Sequence, residues 1–224
     1  MRKWFKRGIS FFLMPLARWY LMKERNYHYQ GFSISVLAGV FHPGLFSSTK
    51  IILDFLRHQQ LKNSTLLELG CGTGLISIVA EKAGADVTAS DLSLAAIKNA
   101  SHNIRENGAN IKLIHSDLFE NIGKCKFDWI IINPPYYAKS VVKEEELAWH
   151  CGKDFQYFHQ LFYSLPDFMH SKTRVIMVLT LGCELDKIFK IAEGKGFYRE
   201  LLKEKNVLFD GKVFLDRLRL KDSE

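Results

Sequence analysis

From Thr65 onward the chain alternates short apolar runs with longer stretches whose apolar residues recur every three to four positions. Thr65–Leu69 reads as a strand, Gly74–Lys82 as a helix and Asp86–Ala89 as a second strand. Ser93–Glu106 carries Leu94, Ile97, Ala100 and Ile104 at helical spacing, and Ile111–His115 is a third strand. Phe127–Ile132 is apolar with little alternation, as a strand covered on both faces requires. An aromatic-rich helix is predicted over Phe155–Met169, a fifth strand over Arg174–Thr180 and a helix over Glu184–Glu193. Two more strand-like runs lie near Tyr198–Leu202 and Val213–Leu220. Upstream, Thr49–His58 repeats Ile51, Ile52, Phe55 and Leu56 as one helical face. The stretch 31–48 is interrupted by Gly39, Pro43 and Gly44 and reads as strand and loop. Strand and helix in strict alternation predict the α/β class: a doubly wound, mostly parallel sheet with helices on both faces.

In such sheets ligands bind beyond the carboxyl ends of the strands, so the residues just past each strand are the candidates for binding. The first strand ends in Glu68-Leu69-Gly70-Cys71-Gly72-Thr73-Gly74 and a helix comes next. Glycines permit a tight turn and let backbone N–H groups approach a ligand closely. Dinucleotide enzymes place G-x-G-x-x-G at this position, whereas here the spacing is G-x-G-x-G with an acid in front. The second strand runs into Asp91-Leu92, whose carboxylate suits the paired hydroxyls of a ribose. The third ends in Ser116-Asp117-Leu118, a polar group for an adenine amine and an apolar one for its ring.

The fourth strand leads into Asn133-Pro134-Pro135-Tyr136-Tyr137. Two consecutive prolines fix φ and remove two N–H donors, leaving the Asn133 side-chain oxygen and the Pro134 carbonyl as acceptors. That pair suits a substrate with two hydrogens to donate, an NH2 group. In a carboxamide or an adenine amine the nitrogen lone pair is delocalised, so it is a poor nucleophile. Acceptors on both hydrogens favour a more pyramidal nitrogen and aim its lone pair, while Tyr136 can stack on the flat face. Aligned attack within one site is worth up to about 7–11 kcal/mol.

With these segments in hand, the series ELGCGTG, ASD and SDLF resembles the cofactor motifs of class I S-adenosylmethionine methyltransferases, over roughly residues 39–220. The resemblance implies a Rossmann-like sheet of seven strands and S-adenosylmethionine as cofactor. It places Glu68, Gly70, Cys71, Gly72, Thr73 and Gly74 at the methionine end, Asp91 and Leu92 at the ribose, and Asp117 and Leu118 at the adenine. Asn133 falls where cofactor and acceptor meet, and Asn133, Pro134, Pro135 and Tyr136 are the expected catalytic residues. NPPY is similar to the signature of amino-methyltransferases acting on protein glutamine, on adenine in DNA or RNA, and on some guanines. Beyond it, Ala148, Trp149, Gly152 and Asp154 resemble a segment of the HemK-type release-factor glutamine methyltransferases, with Cys151 where their first glycine stands. Two features depart from that group. Only some 40 residues precede Phe41-His42-Pro43, too few for its helical N-terminal domain, and GVFHPGLFSSTK looks more like the methyltransferase small domain group, which includes ribosomal RNA guanine enzymes. The expected activity is N-methylation of a protein glutamine amide; the alternative acceptor is a nucleobase amine in ribosomal or transfer RNA or in DNA. Thr49 is placed near the cofactor's amino-acid end from its position alone.

Composition refines this only a little. The chain has 224 residues with a net charge of +7, which permits an acidic macromolecular partner without requiring one. Four cysteines, Cys71, Cys125, Cys151 and Cys183, show no CxxC pair, and the eight histidines show no metal spacing, so no metal is expected. Scattered unpaired cysteines fit a reducing cytoplasm. Residues 1–38 form a basic and apolar extension ahead of a catalytic domain over 39–224, and a helix packed on that domain is expected within residues 1–30. The apolar run from Ile9 to Ala17 is too short for a membrane span, which needs about 20 residues.

Overall fold

A computed structural model describes residues 23–140, 146–207 and 211–221. Two strands, β1 (Arg25–Tyr29) and β2 (Phe32–Val36), form an antiparallel hairpin. Helix α1 (Ser47–Leu56) leads to β3 (Thr65–Leu69), α2 (Leu75–Lys82), β4 (Asp86–Asp91), α3 (Leu94–Glu106) and β5 (Ile111–His115). The chain then crosses to β6 (Phe127–Ile132), α4 (Gln156–Ser164), β7 (Met169–Thr180), α5 (Leu185–Glu193), β8 (Phe197–Val207) and β9 (Gly211–Leu220). Seven strands make one sheet in the order β5-β4-β3-β6-β7-β9-β8. The first five in that order pair in parallel, and β9 is antiparallel to both its neighbours. The strand order reverses between β3 and β6, so the crevice for a ligand opens there.

Alternation along the strands assigns the two faces. Leu67, Leu69, Ile130 and Ile132 join Phe158 and Phe162 of α4 and Ile188 of α5 in one core. Leu66, Trp129, Ile131 and Ile176 join Ile51, Ile52 and Leu56 of α1 and Ile76 and Ile78 of α2 in the other. Phe127–Ile132 is thus buried from both sides, which is why its apolar run is unbroken.

The structure departs from the sequence expectations at three places. The helix expected over Phe155–Met169 stops at Ser164, continues as one tighter turn over Leu165–Phe168, and gives way to β7 at Met169. Pro166 has no N–H to continue the α-helical ladder. β8 is eleven residues long, with almost every residue solvent-facing, so it carries no apolar alternation to mark its length. Residues 25–29 form a strand, not part of a helix. Gln30 and Gly31 turn the hairpin with φ of 48° and 91°, the pair of positive values that a two-residue type I′ turn demands. The rest of the expected N-terminal helix, residues 1–22, lies outside the described residues.

The hairpin is tied to the domain by an asparagine ladder. Asn99 and Asn103 of α3 and Asn107, its C-cap, lie four apart and meet the open edge of β2. Asn103 Oδ1 accepts from Ser35 N at 2.9 Å, and its Nδ2 donates to Ser35 O at 2.8 Å and to Thr73 O at 2.9 Å. Asn99 accepts from Leu37 N and donates to Ser35 O, while Asn107 exchanges the same pair with Ser33. Side-chain amides here serve the backbone as a neighbouring strand would.

Asn103 is buried and Asn107 is exposed at its bonds with Ser33. Asn103→Ala therefore strands Ser35 N and Thr73 O, while Ser35 O keeps its bond from Asn99, and should lower the unfolding free energy by about 2–4 kcal/mol, measured by urea titration. Asn107→Ala should cost about 1 kcal/mol or less. Equal effects would show that the ladder does not act through burial.

Candidate active site

The loop after β3 is built on the loop-side end of β4. Gly70 N and Cys71 N both donate to Ser90 O at 2.9 Å, and Gly72 N donates to Asp91 Oδ2 at 2.9 Å. Gly70 and Gly72 have φ of 74° and 53°, and a Cβ on either would meet no protein atom within 4 Å. Their bare backbone faces a cavity of about 320 Å3 at the switch between β3 and β6. Gly74 is different. It does not line that cavity, and a Cβ there would sit 3.3 Å from Ala100 Cβ. Its absent side chain serves the close approach of α2 and α3.

Three acids line the cavity. Glu68 is buried; its Oε2 accepts from Ser77 N at 2.9 Å and from the Ser77 hydroxyl, while its Oε1 makes no hydrogen bond among the described residues. Burial pushes its carboxyl up to about 8, against the pull of the two Ser77 donors, with the charge of Asp91 adding to the rise. Asp91 accepts from Ser93 N at 2.9 Å as well as from Gly72, and burial holds its carboxyl above the ordinary range. Asp117 is raised by burial and by Glu120. Leu118, beside it, is buried with φ of 44°, a left-handed backbone at a non-glycine residue. Cys71, Thr73 and Leu92 complete this wall.

The opposite wall comes from β6. Asn133, Pro134, Pro135 and Tyr136 all line the same cavity as Gly70 and Gly72. The half-buried Asn133 side chain makes no hydrogen bond with any described residue, and the Pro134 carbonyl accepts no main-chain bond among them. The loop is held by its neighbour: Tyr136 N and Tyr137 N donate to Trp149 O at 3.2 and 2.9 Å, and Cys151 N donates to Tyr137 O at 3.0 Å. Trp149 in turn packs on Phe41 and Phe46, with ring centroids 5.2 and 4.9 Å away.

Every sequence-predicted site residue except Gly74 thus reaches one cavity. Sequence reading missed Phe41, Ser90, His150 and Tyr157, which also line it, whereas Thr49, placed from position, does line it. Gln156, Tyr157 and Gln160 present one edge of α4 to the cavity, a spacing visible once the helix start is known. Burial pushes the Tyr157 hydroxyl far above its ordinary range, and the charges of Asp91, Asp117 and Cys151 add to this.

The profile of the methyltransferase small domain family matches residues 31–151. A protein of Methanocaldococcus jannaschii, named as a putative protein N5-glutamine methyltransferase, is 33% identical over 190 residues, covering 80% of this chain and 94% of its own. The chain belongs to the methyltransferase small domain family. Solved members of the fold include a ribosomal protein L11 methylase of Lactobacillus delbrueckii subsp. bulgaricus, with a TM-score of 0.59, 22% identity, and coverage of 78% of this chain and 79% of its own. A 16S rRNA N2 G1207 methyltransferase of T. thermophilus, held with AdoMet and guanosine, superposes with a TM-score of 0.63 at 18% identity, over 88% of this chain and 50% of its own. This small domain methyltransferase is S-adenosylmethionine-dependent. Among the described residues no helix is long and apolar enough to cross a membrane, and no cluster of three or more His, Cys, Asp or Glu could hold a metal.

The raised carboxyl of Glu68 has a consequence for this methyltransferase's stability. A carboxyl lifted from its ordinary 4.5 to about 8 contributes stability that is complete below about pH 4.5 and is lost as pH rises through about 8. The unliganded protein should therefore lose unfolding free energy between about pH 5 and 9, and Glu68→Gln, which can keep both Ser77 bonds, should flatten that loss. Chemical denaturation across this pH range checks it. A Glu68→Gln profile parallel to wild type would mean that Glu68 is ionised throughout.

Proposed function

We propose that this methyltransferase transfers a methyl group to the side-chain amide nitrogen of a glutamine in a protein acceptor. The observation that carries the reading is that Asn133 and Pro134, whose oxygens take no hydrogen bond among the described residues, line one cavity with the bare backbone of Gly70 and Gly72. The residues fit S-adenosylmethionine. The open Oε1 of Glu68 faces the cavity that would take the cationic amino-acid end, beside a glycine cradle that any side chain would fill. Cys71, Thr73 and Thr49 border the same end. Asp91 is fixed by two backbone donors with lone pairs to spare for the ribose hydroxyls, and Leu92, Asp117 and Leu118 border the adenine. When bound, this group supplies an electrophilic methyl on a sulfonium whose departure leaves a neutral thioether, so no covalent enzyme intermediate is needed.

The chain's own residues supply the rest. Asn133 Oδ1 and the Pro134 carbonyl accept the two amide hydrogens, which localises the nitrogen lone pair and points it along the line of attack. As the N–C bond forms and the methyl–sulfur bond breaks, the nitrogen becomes cationic and gives up one of those hydrogens as a proton to solvent water. Pro134 and Pro135 keep the slot rigid and free of competing donors. Tyr136 covers the flat face of the amide. Trp149, through its carbonyl, holds the loop that carries all four. The choice of glutamine over a nucleobase rests on the similarity to the M. jannaschii protein along nearly its whole length. We further propose that the hairpin of residues 25–36 is part of the catalytic unit, because Ile34 and Val36 share its core.

The test is transfer of labelled methyl from S-adenosylmethionine to the protein and RNA fractions of a cell extract by the purified chain. Label in protein, recovered as N5-methylglutamine by mass analysis, is the expected result. Label in RNA alone, as a methylated base, overturns the glutamine reading. Asn133→Ala should lower kcat by about 10²–10³-fold, the usual loss for one oriented hydrogen-bonding group at a reacting centre, and change donor affinity far less.

A further inference from the structure

Around the adenosine end of the cavity the groups described so far are mostly acceptors. Asp91 and Asp117 stand at the ends of β4 and β5, and both are carboxyls that take hydrogens from a ligand when ionised. A purine nucleoside, however, offers acceptors as well as donors: its ring nitrogens and its ribose ring oxygen need a hydrogen from the protein or from water. Tyr157 lies against the same cavity from the other side, on the first turn of α4.

Several observations define its place. Its backbone N–H donates to Cys151 O at 3.1 Å, which fixes the start of α4 against the segment that pins the NPPY loop. Its ring meets Phe158 edge-on at 5.2 Å, and Phe158 is fully buried, so the ring plane is held. Its hydroxyl makes no hydrogen bond with any described residue, yet it is not sealed away, because the residue lines open cavity space. Asp91 and Asp117 both act on that hydroxyl electrostatically. Burial first, and the charges of the two acids after it, hold the proton of the phenol, so it stays a donor throughout the neutral range.

We propose that Tyr157 is a cofactor-binding residue whose hydroxyl donates a hydrogen bond to an acceptor of the adenosine moiety, completing a set in which Asp91 and Asp117 accept. The assignment rests on reading the Asp91–Asp117 end of the cavity as the adenosine end. It makes α4 a third wall of the cofactor site, in addition to the loops after β3, β4 and β5. It also couples the donor site to the acceptor site through the chain: the backbone of Tyr157 holds Cys151, and Cys151 N holds the carbonyl of Tyr137.

The experiment is calorimetric titration of the full chain and of Tyr157→Phe with two ligands: S-adenosylhomocysteine, and 5′-methylthioadenosine, which lacks the amino-acid end. Tyr157→Phe keeps the ring and its contact with Phe158, so folding is preserved, and an unchanged thermal melt checks this. The expected result is a loss of about tenfold in affinity for both ligands alike, the size of one hydrogen bond left unmade. Glu68→Gln should weaken S-adenosylhomocysteine only. Wild-type affinity of Tyr157→Phe for 5′-methylthioadenosine, while Asp91→Asn loses affinity for it, overturns the role of Tyr157 and leaves the adenosine reading standing. If neither Tyr157→Phe nor Asp91→Asn weakens 5′-methylthioadenosine, the adenosine end is elsewhere and both ideas fall.

Discussion

The site depends first on the register between β3 and β6. Leu66 pairs with Trp129, Glu68 with Ile131 and Leu69 with Ile132, in parallel. The next residue on each strand is the first of its motif, so the glycine loop and Asn133 leave the sheet side by side. Two opposed cores lock this pairing. Trp129 and Ile131 face the α1–α2 side, and Ile130 and Ile132 face the α4–α5 side. A slip of one residue would turn each set into the wrong core. Methyl transfer needs its two partners held near contact and in line, and a misplacement of about 1 Å can cost a factor of 100. Here the alignment comes from the buried middle of the sheet, not from loops.

Further ties extend that precision to the rim. Asn103 bonds Ser35 and Thr73 at once, so the segment leading from β2 toward Phe41 is fixed to the glycine loop. On the far side the Trp149 carbonyl receives both Tyr136 N and Tyr137 N, and the Trp149 ring closes on Phe41 and Phe46. The two rims of the crevice therefore meet through aromatic packing. Glu68 illustrates the electrostatic side of the same design: a carboxyl buried beside another acid is disfavoured as an anion until a cation enters the cavity. On the proposed reading, a positively charged donor and that buried group stabilise one another.

Much of this was legible in the chain. The parallel core strands announce themselves because burial on both faces leaves uninterrupted apolar runs, as in Phe127–Ile132. The motifs sit where the fold puts ligands, at strand ends, so it was readable from position that Glu68, Asp91, Asp117 and Asn133 would line one cavity. Gly74 shares the spacing of its neighbours but does not line the cavity, and a Cβ there would meet Ala100, a contact that spacing does not reveal. β1 was hidden because its alternation, half-buried and exposed in turn, lies beside a basic and apolar run and its turn is Gln30-Gly31 rather than a stronger signal such as Asn-Gly. The length of β8 was hidden because an exposed edge strand has no core face. Tyr157 was unreadable, because its role depends on where α4 crosses the sheet, and nothing local in Gln156–Ser164 states that.

The most direct measurement is a crystal structure of the chain with S-adenosylhomocysteine and a peptide presenting a glutamine amide. The account predicts the amide nitrogen within hydrogen-bonding distance, about 2.7–3.2 Å, of both Asn133 Oδ1 and the Pro134 carbonyl, with the ligand sulfur on the open side of that nitrogen. An amide seated away from those two oxygens, or a ligand sulfur lying outside the crevice between β3 and β6, would contradict it.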